Sequence, residues 1–518
     1  MKQLQSLSVV APGFFGLNTQ DSGITLSSNY ALVADNCIID KFGRIGARKG
    51  WTTQTVDGVN ELSGMPIKFM MEHINADNTV VTISGGNNKL LKDGDAGNIF
   101  TDITPSLYSI TNDYWKGATL NDHAMIVQEG HEPVIYTESA SPVAQTMTDY
   151  TGVTQNYGSN FPRDVLSAYG RFWAHDGSVV YWSTDIADTA FPAFNGGTSG
   201  TLNIAAILPN NVDTIVALAA HNGFLIIFCQ KNIIIYQGAE NPIGTNFSLT
   251  DIIAGVGCVA RDSVQNTGND LIFLSDTGIR SLGRLIQEKS LPMRDLTKNI
   301  RDDLSDLLQI AFAADPALKQ VKSLYSEVNA FYLLSFPTSN IVYCLDMRQA
   351  MEDGSSRVTR WVDYHATSFL RKRNRDVFIG YPNSINKYFG YLDGSETYQM
   401  RFLSPYMDMQ DSTQVKMLKK VTATVIGGNG QAFIIKCGFD YIDSYDSYPF
   451  IVDGGTAAQY NIDEYNIAEY SKGSLIDKVD ASVGGAGNVI QLGFETEVNN
   501  TSFSVQKLDI FMKTGRKI

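Results

Sequence analysis

Cysteine is scarce in this 518-residue chain. Cys37, Cys229, Cys258, Cys344 and Cys437 are odd in number, far apart and set among apolar residues. That pattern excludes a disulfide framework or a zinc site and predicts reduced, buried thiols in a protein made in a cytoplasm. Histidine is equally sparse: six residues, none at metal-ligand spacing from another His or Cys. HExxH, GxSxG, Walker and dinucleotide-binding patterns are absent, so neither an enzyme nor a cofactor or metal site is expected. No apolar run approaches the ~18 residues that cross a bilayer; the strongest, Phe224 to Cys229, is six long. Near the amino terminus, Pro12 and Gly13 interrupt the apolar stretch Leu7 to Leu17, and no signal peptide is expected. Basic residues are the minority, 40 against 54 acidic for a net charge of −14. Gripping nucleic acid through its phosphates is therefore excluded as the main activity.

What is present is ordinary globular composition, 43% hydrophobic and 18% charged, in a chain long enough for about three domains. Short segments rich in Val, Ile, Tyr and Phe alternate with Gly, Asn and Asp clusters, which reads as mainly β. A unit of apolar strand, tight polar turn and second apolar strand recurs seven times. The segments are Thr79 to Leu91, His123 to Tyr136, Arg171 to Trp182, Gly223 to Tyr236, Asp270 to Leu282, Phe331 to Leu345 and Val377 to Leu392. Their turns centre on Gly85, Gly130, Gly177, Lys231, Gly278, Thr338 and Asn383, at intervals of 45, 47, 54, 47, 60 and 45 residues. A period in the forties is that of one β-propeller blade. Five of the second strands carry an aromatic at a similar place, Tyr136, Tyr181, Tyr236, Tyr343 and Tyr388, predicted to pack between neighbouring sheets. The longest interval holds a predicted helix within Thr297 to Phe312, with Ile300, Leu304, Leu307 and Leu308 on one face and Thr297 as its cap. Beyond Gly394 longer alternating segments, Val415 to Gly427, Gln431 to Ile442, Val489 to Val498 and Ser502 to Lys513, suggest a separate β-sandwich. The expected organisation is an amino-terminal segment (1–65) packed on a carboxy-terminal platform, a propeller (66–400) with a helical insertion near 297–312, and a β-sandwich (401–518).

Few motifs carry chemistry. SDTG at Ser275 to Gly278 shares residues with the Ser-x-Asp-x-Gly repeat of sialidase-type propellers, but the spacing is wrong and a hairpin turn accounts for it. Asp440, Asp443 and Asp446, and the stretch DGDAGN at Asp93 to Asn98, are oxygen-rich enough to hold Ca²⁺ weakly, yet neither has a full ligand set and solvated loops explain both. RKRNR contributes Arg371, Lys372, Arg373 and Arg375, the one dense basic cluster. It reads either as a subunit or partner contact or as a solvated loop.

The stretch Gly16 to Trp51 resembles the opening of tail nozzle proteins of short-tailed bacteriophages, also called tail hub, tail tubular or stabilisation proteins. The matching positions are Ala34, Asn36, Asp40, Gly43, Arg44, Arg48, Gly50 and Trp51. Gly170 to Pro192, with its Gly-Arg-aromatic start and Thr-Asp close, looks like another hairpin of that family. NGFLIIFCQKNIIIYQGAENP with GVGCVARDSV (Gly255 to Val264) looks like its central hairpin and Gly-rich strand. The resemblance implies a structural virion protein: a homo-hexameric ring in the virion tail, docked on a tail adaptor and carrying fibres or spikes. Viral DNA would leave through the ring without specific binding. Two other readings stand beside it, a glycan-cleaving propeller and a receptor- or glycan-binding propeller.

Overall fold

The computed structural model of the chain describes residues 5–10, 13–93, 99–208, 213–244, 246–287, 295–409, 411–428, 430–442, 444–452 and 476–517. All seven expected hairpins are antiparallel pairs, and each contributes the second and third strands, counted from the innermost, of one sheet in a ring. The innermost strands, in chain order, are Phe69–Ile74, Lys116–Leu120, Asp164–Ala168, Ile215–His221, Gln265–Asn266, Lys322–Ser326 and Ser368–Arg371. Five of these sheets are four-stranded propeller blades, and a further blade is formed by the first four strands of a nine-stranded sheet. The sheet opened by Gln265–Asn266 lies between the fourth and fifth blades and has three strands among the described residues.

Why the chain stacks in this way is clearest at Ile233, Ile234 and Ile235. Successive residues of a strand face opposite sides. Ile234 therefore enters the core shared with the third blade, while Ile233 and Ile235 enter the core shared with the three-stranded sheet. A blade buried on both faces needs a continuous apolar strand, and each such side chain contributes roughly 1.5–3 kcal/mol when fully buried. One apolar cluster fills each junction around the ring. Tyr136, Tyr181, Tyr236, Tyr343 and Tyr388 are all buried in these clusters.

After the third strand of the three-stranded sheet the chain turns into the helices Leu282–Gln287 and Arg301–Ala314. Leu304, Leu307, Leu308 and Ala311 form the buried face of the second helix. Thr297 is not its cap. A 3₁₀ turn, Lys298–Ile300, precedes the helix, and the Thr297 hydroxyl instead accepts from the Ile279 amide at 3.0 Å. The hydroxyl thereby ties the helical segment to the neighbouring sheet.

The ring starts earlier than residue 66, because Trp51–Val56 pairs antiparallel with Ser384–Tyr388 and supplies the fourth strand of the sixth blade. At the fifth blade the outer strand Arg357–Val362 is followed by Val33–Asp35, Tyr398–Leu403, Ile490–Val498, Ala432–Phe439 and Asp446–Ile451 in one nine-stranded sheet. Against it lies a second sheet built on Gln414–Gly427 and Phe503–Lys517, which also takes in Gln5–Val9, Cys37–Ile39 and Ile45–Ala47. The two sheets share a core in which the Phe433 and Phe503 rings approach to 5.7 Å. The five cysteines are free and buried.

Candidate functional site: the joint between ring and carboxy-terminal layers

The residues that carry the amino-terminal resemblance converge where the ring meets the carboxy-terminal sheets. Ala34 is fully buried and registers with Phe402. Asn36 follows with φ +54°, a left-handed conformation that asparagine tolerates better than most side chains. Its amide nitrogen donates to the Gln399 carbonyl at 2.9 Å, and its amide oxygen accepts from the Val362 backbone at 3.1 Å and from Arg48 Nε at 3.0 Å. One side chain thus links the outer strand of the fifth blade, the first strand of the carboxy-terminal sheet and the buried arginine.

Arg48 is fully buried. Its guanidinium forms a bidentate pair with Asp393, both contacts at 2.7 Å, and lies 4.5 Å from the Tyr364 ring centroid and 4.0 Å from that of Tyr398. Burial opposes the charge, but the Asp393 bonds outweigh it and hold the guanidinium protonated at any accessible pH. The planar fork suits a carboxylate flanked by aromatic faces, which lysine would not match. Gly50 passes so near the returning chain that a Cβ there would lie 1.8 Å from the Leu392 carbonyl oxygen. The Trp51 ring packs tilted by 45° against Tyr381, with centroids 4.7 Å apart. At the hairpin between Cys37–Ile39 and Ile45–Ala47, Asp40 accepts from Arg44 Nε at 2.7 Å, and Gly43 takes φ +75° to close the turn.

The basic cluster lies elsewhere. Ser368–Arg371 is the innermost strand of the sixth blade, and beyond its far end residues 372–376 turn back into Val377–Tyr381. Arg371 pairs with Glu327 at 2.9 Å, and the Lys372 ammonium sits 4.4 Å from the Phe378 ring centroid. Arg373 and Arg375 are exposed. Of the calcium candidates, residues 94–98 and Asp443 lie outside the described residues, and Asp440 instead accepts from the Asn488 and Val489 amides. Ser275 and Gly278 pair directly as a hairpin turn.

A second feature was not singled out from sequence. A cavity of about 300 Å³ opens at the ring end where the innermost strands begin, with Glu129, Arg163, His175, Lys231, Arg261 and Lys319 in its wall. Glu129 joins Arg163 at 3.1 Å and Lys319 at 2.5 Å. Arg261, from the Gly-rich segment, donates to the Arg163 carbonyl at 2.7 Å and the Trp115 carbonyl at 3.1 Å, so it pins the second and third blades together. His175 accepts from the Gly177 amide through Nδ1, while its Nε2 has no hydrogen-bond partner and lies 4.0 Å from Asp164. Burial pushes its pKa down to about 4, and the Asp164 charge offsets this only in part.

No protein-family model and no curated protein matches the chain. Among solved structures it is similar to YCF48 bound to D1 peptide, at 11% identity and a TM-score of 0.38, over 66% of this chain and 97% of that one. The computationally designed Ika8 protein gives 10% identity and 0.35, over 65% and 99%. PorZ, a type-IX secretion-system component of Porphyromonas gingivalis, gives 10% and 0.36, over 68% of this chain and 42% of PorZ. The ring itself is defined by the chain's own strand pairing.

Proposed function

We propose that the chain is a structural subunit of the tail nozzle of a short-tailed bacteriophage, a homo-hexameric ring in the virion tail that bounds the exit path of the DNA. The joint is the observation that carries this reading. The residues resembling the nozzle family's opening are spent on locking propeller to carboxy-terminal layers, with Arg48 and Asn36 buried between them. A subunit that meets its neighbours head-to-tail around a closed ring must hold its interfaces at fixed mutual angles. The acidic balance supports the same reading: six chains of −14 each carry about −84, which discourages retention of DNA phosphates. Self-repulsion on that scale is screened beyond ~8 Å at physiological salt. In this proposal the chain has no catalytic role, and Arg371, Lys372, Arg373 and Arg375 face a neighbouring subunit, the adaptor or a fibre.

The test is mass in solution, alone and with the cognate adaptor, followed by a reconstruction of whatever forms. A six-fold ring on the adaptor supports the proposal. A chain that stays monomeric with the adaptor present sinks it. The ring-end cavity favours a second reading, a receptor- or glycan-binding propeller, for which a glycan panel tested against the monomer is the discriminating measurement.

A further inference from the structure

Polar residues at or beside the start of five innermost strands gather around one cavity as a collar. Lys68 immediately precedes the first of these strands, while Lys116, Gln265, Lys322 and Ser368 open four others. These residues wall a cavity of about 130 Å³ together with Asp262. At the volume water occupies in the liquid, that space would hold roughly four molecules.

Its charge is out of balance. The Asp262 carboxylate receives Lys116 at 3.2 Å, Arg261 at 3.1 Å and Lys322 at a shorter distance. Burial opposes ionisation of Asp262, yet these three cations outweigh it and hold the carboxyl well below the usual range. Lys68 adds a fourth cation, its ammonium 4.9 Å from the centroid of the Tyr114 ring. Outside the cavity wall, Asp113 acts on Lys68, with burial raising the Asp113 pKa and Lys68 lowering it, and Glu129 and Asp164 act on Arg261. Three of these cations, Lys68, Lys116 and Lys322, thus line the cavity against the single lining carboxylate of Asp262, inside a chain that is acidic overall. Uncompensated like charges at such spacing are costly unless an anion enters.

We propose that this axial cavity is a binding site for one small oxyanion of the sulfate or phosphate class, held by the Lys68, Lys116 and Lys322 ammonium groups with Ser368 and Gln265 in the same wall. Three lysine ammonium groups around a compact void match the charge and size of such an anion. The bound anion neutralises the collar and draws together innermost strands from five sheets. The site does not depend on the nozzle reading.

The pH dependence follows from Lys322. It faces Asp262, Arg261, Lys116 and the Tyr114 ring. Burial pushes its pKa down to about 8, against the pull of Asp262 and with help from Arg261. Affinity should therefore fall as pH rises through 8.

Equilibrium dialysis of the full chain against labelled sulfate, whose charge is constant over this range, at fixed ionic strength in chloride, is the test. The expected result is saturable binding of one sulfate per chain, weakened at least tenfold in Lys322→Met and in Lys68→Met, and weakened in the native chain between pH 7 and 9. Lys322→Met leaves Asp262 paired with Lys116 and Arg261, so the fold should survive; circular dichroism of each variant verifies this. Displacement by inorganic phosphate supports the site, and equal displacement by a sugar phosphate identifies the anion as the end group of a larger ligand. Absence of saturable binding overturns the proposal. So does binding that is unchanged in both folded variants, because the anion would then sit elsewhere.

Discussion

Arg48→Met is the most informative perturbation of the joint. Methionine keeps an unbranched apolar stem between Tyr364 and Tyr398, so the change removes chiefly the charge and its bonds. Asp393 loses both contacts at 2.7 Å, and Asn36 loses one of its two donors. Breaking a buried ion pair by deleting one partner costs about 3–5 kcal/mol. The Asp393 side chain retains 17% of its exposure and can recruit water, which places the expected loss at the lower end, about 3 kcal/mol. That corresponds to more than a hundredfold in a local opening equilibrium, at about 1.4 kcal/mol per factor of ten. Urea unfolding followed by Trp361 fluorescence reads it directly, since that indole sits 5.1 Å from Tyr364. Hydrogen exchange should localise the effect, with protection lost at Asn36, Val362 and Tyr398–Leu403 but kept at His123–Gln128. Adding Asp393→Asn should cost less than the sum of the single changes by over about 1 kcal/mol, the mark of a coupled pair. Additive losses, or a loss under about 1 kcal/mol for Arg48→Met, would refute the assignment of the joint to this pair.

Other outcomes are equally checkable. Gly50→Ala should abolish soluble expression or sharply lower the unfolding midpoint, because its Cβ would meet the Leu392 carbonyl at 1.8 Å and both groups are backbone. His175 has a folded pKa of about 4, below its unfolded value, so the unfolded chain takes up the extra proton. Stability should be intact above pH 6.5 and fall by up to about 3 kcal/mol as pH drops to 4. His175→Asn, which can still accept from the Gly177 amide, should flatten that part of the pH–stability curve. On the nozzle proposal, charge reversal at Arg371 and Arg373 should weaken ring assembly or adaptor docking in a salt-dependent way in sedimentation; no effect would return 371–375 to a solvated loop. Native thiol titration should find no reactive cysteine, since burial raises the pKa of all five.

The repeat was legible because its signal is local. Each hairpin declares itself within about fifteen residues, and the continuous apolar runs at Phe224–Cys229 and Asn232–Gln237 already say that both faces are buried. Thr297 misled because a threonine before an amphipathic run has the look of a cap, while its real partner, Ile279, belongs to another element. The joint was legible only as a list of positions. Nothing near Arg48 in sequence reveals that Asp393, 345 residues away, completes it. The axial collar was hidden differently: its members are spaced a blade apart, so no window of sequence shows more than one lysine of the set. Once strand starts are fixed, reading the residue that opens each innermost strand recovers Lys116, Gln265, Lys322 and Ser368 in a single pass.

The amino-terminal segment enters three structures within some fifty residues. Gln5–Val9 pairs with the last strand, Val33–Asp35 sits inside the nine-stranded sheet, and Trp51–Val56 closes the sixth blade. Its partners are the most distant available: Ser8 bonds Asp509 across 501 residues, and Asn36 bonds Gln399 across 363. Contacts of such separation form late, because loop-closure entropy must be overcome before they reward the chain. During synthesis these residues therefore have nothing to pair with until the last blade and the later strands they join have been made. Ring closure and docking of the second module then become one event, since Trp51 follows Arg48 by three residues and both lean on the same stretch around Asp393. Pulse-labelling hydrogen exchange during refolding should show the amides of Trp51–Val56 and Val33–Asp35 gaining protection together, after those of Phe224–Cys229 and Asn232–Gln237. Early protection of Trp51–Val56, or closure of the ring well before Val33–Asp35 is protected, would separate the two events and break the argument. If they are joined, a chain lacking either partner segment never closes its ring of blades, and its open edge strands stay exposed to wrong pairing.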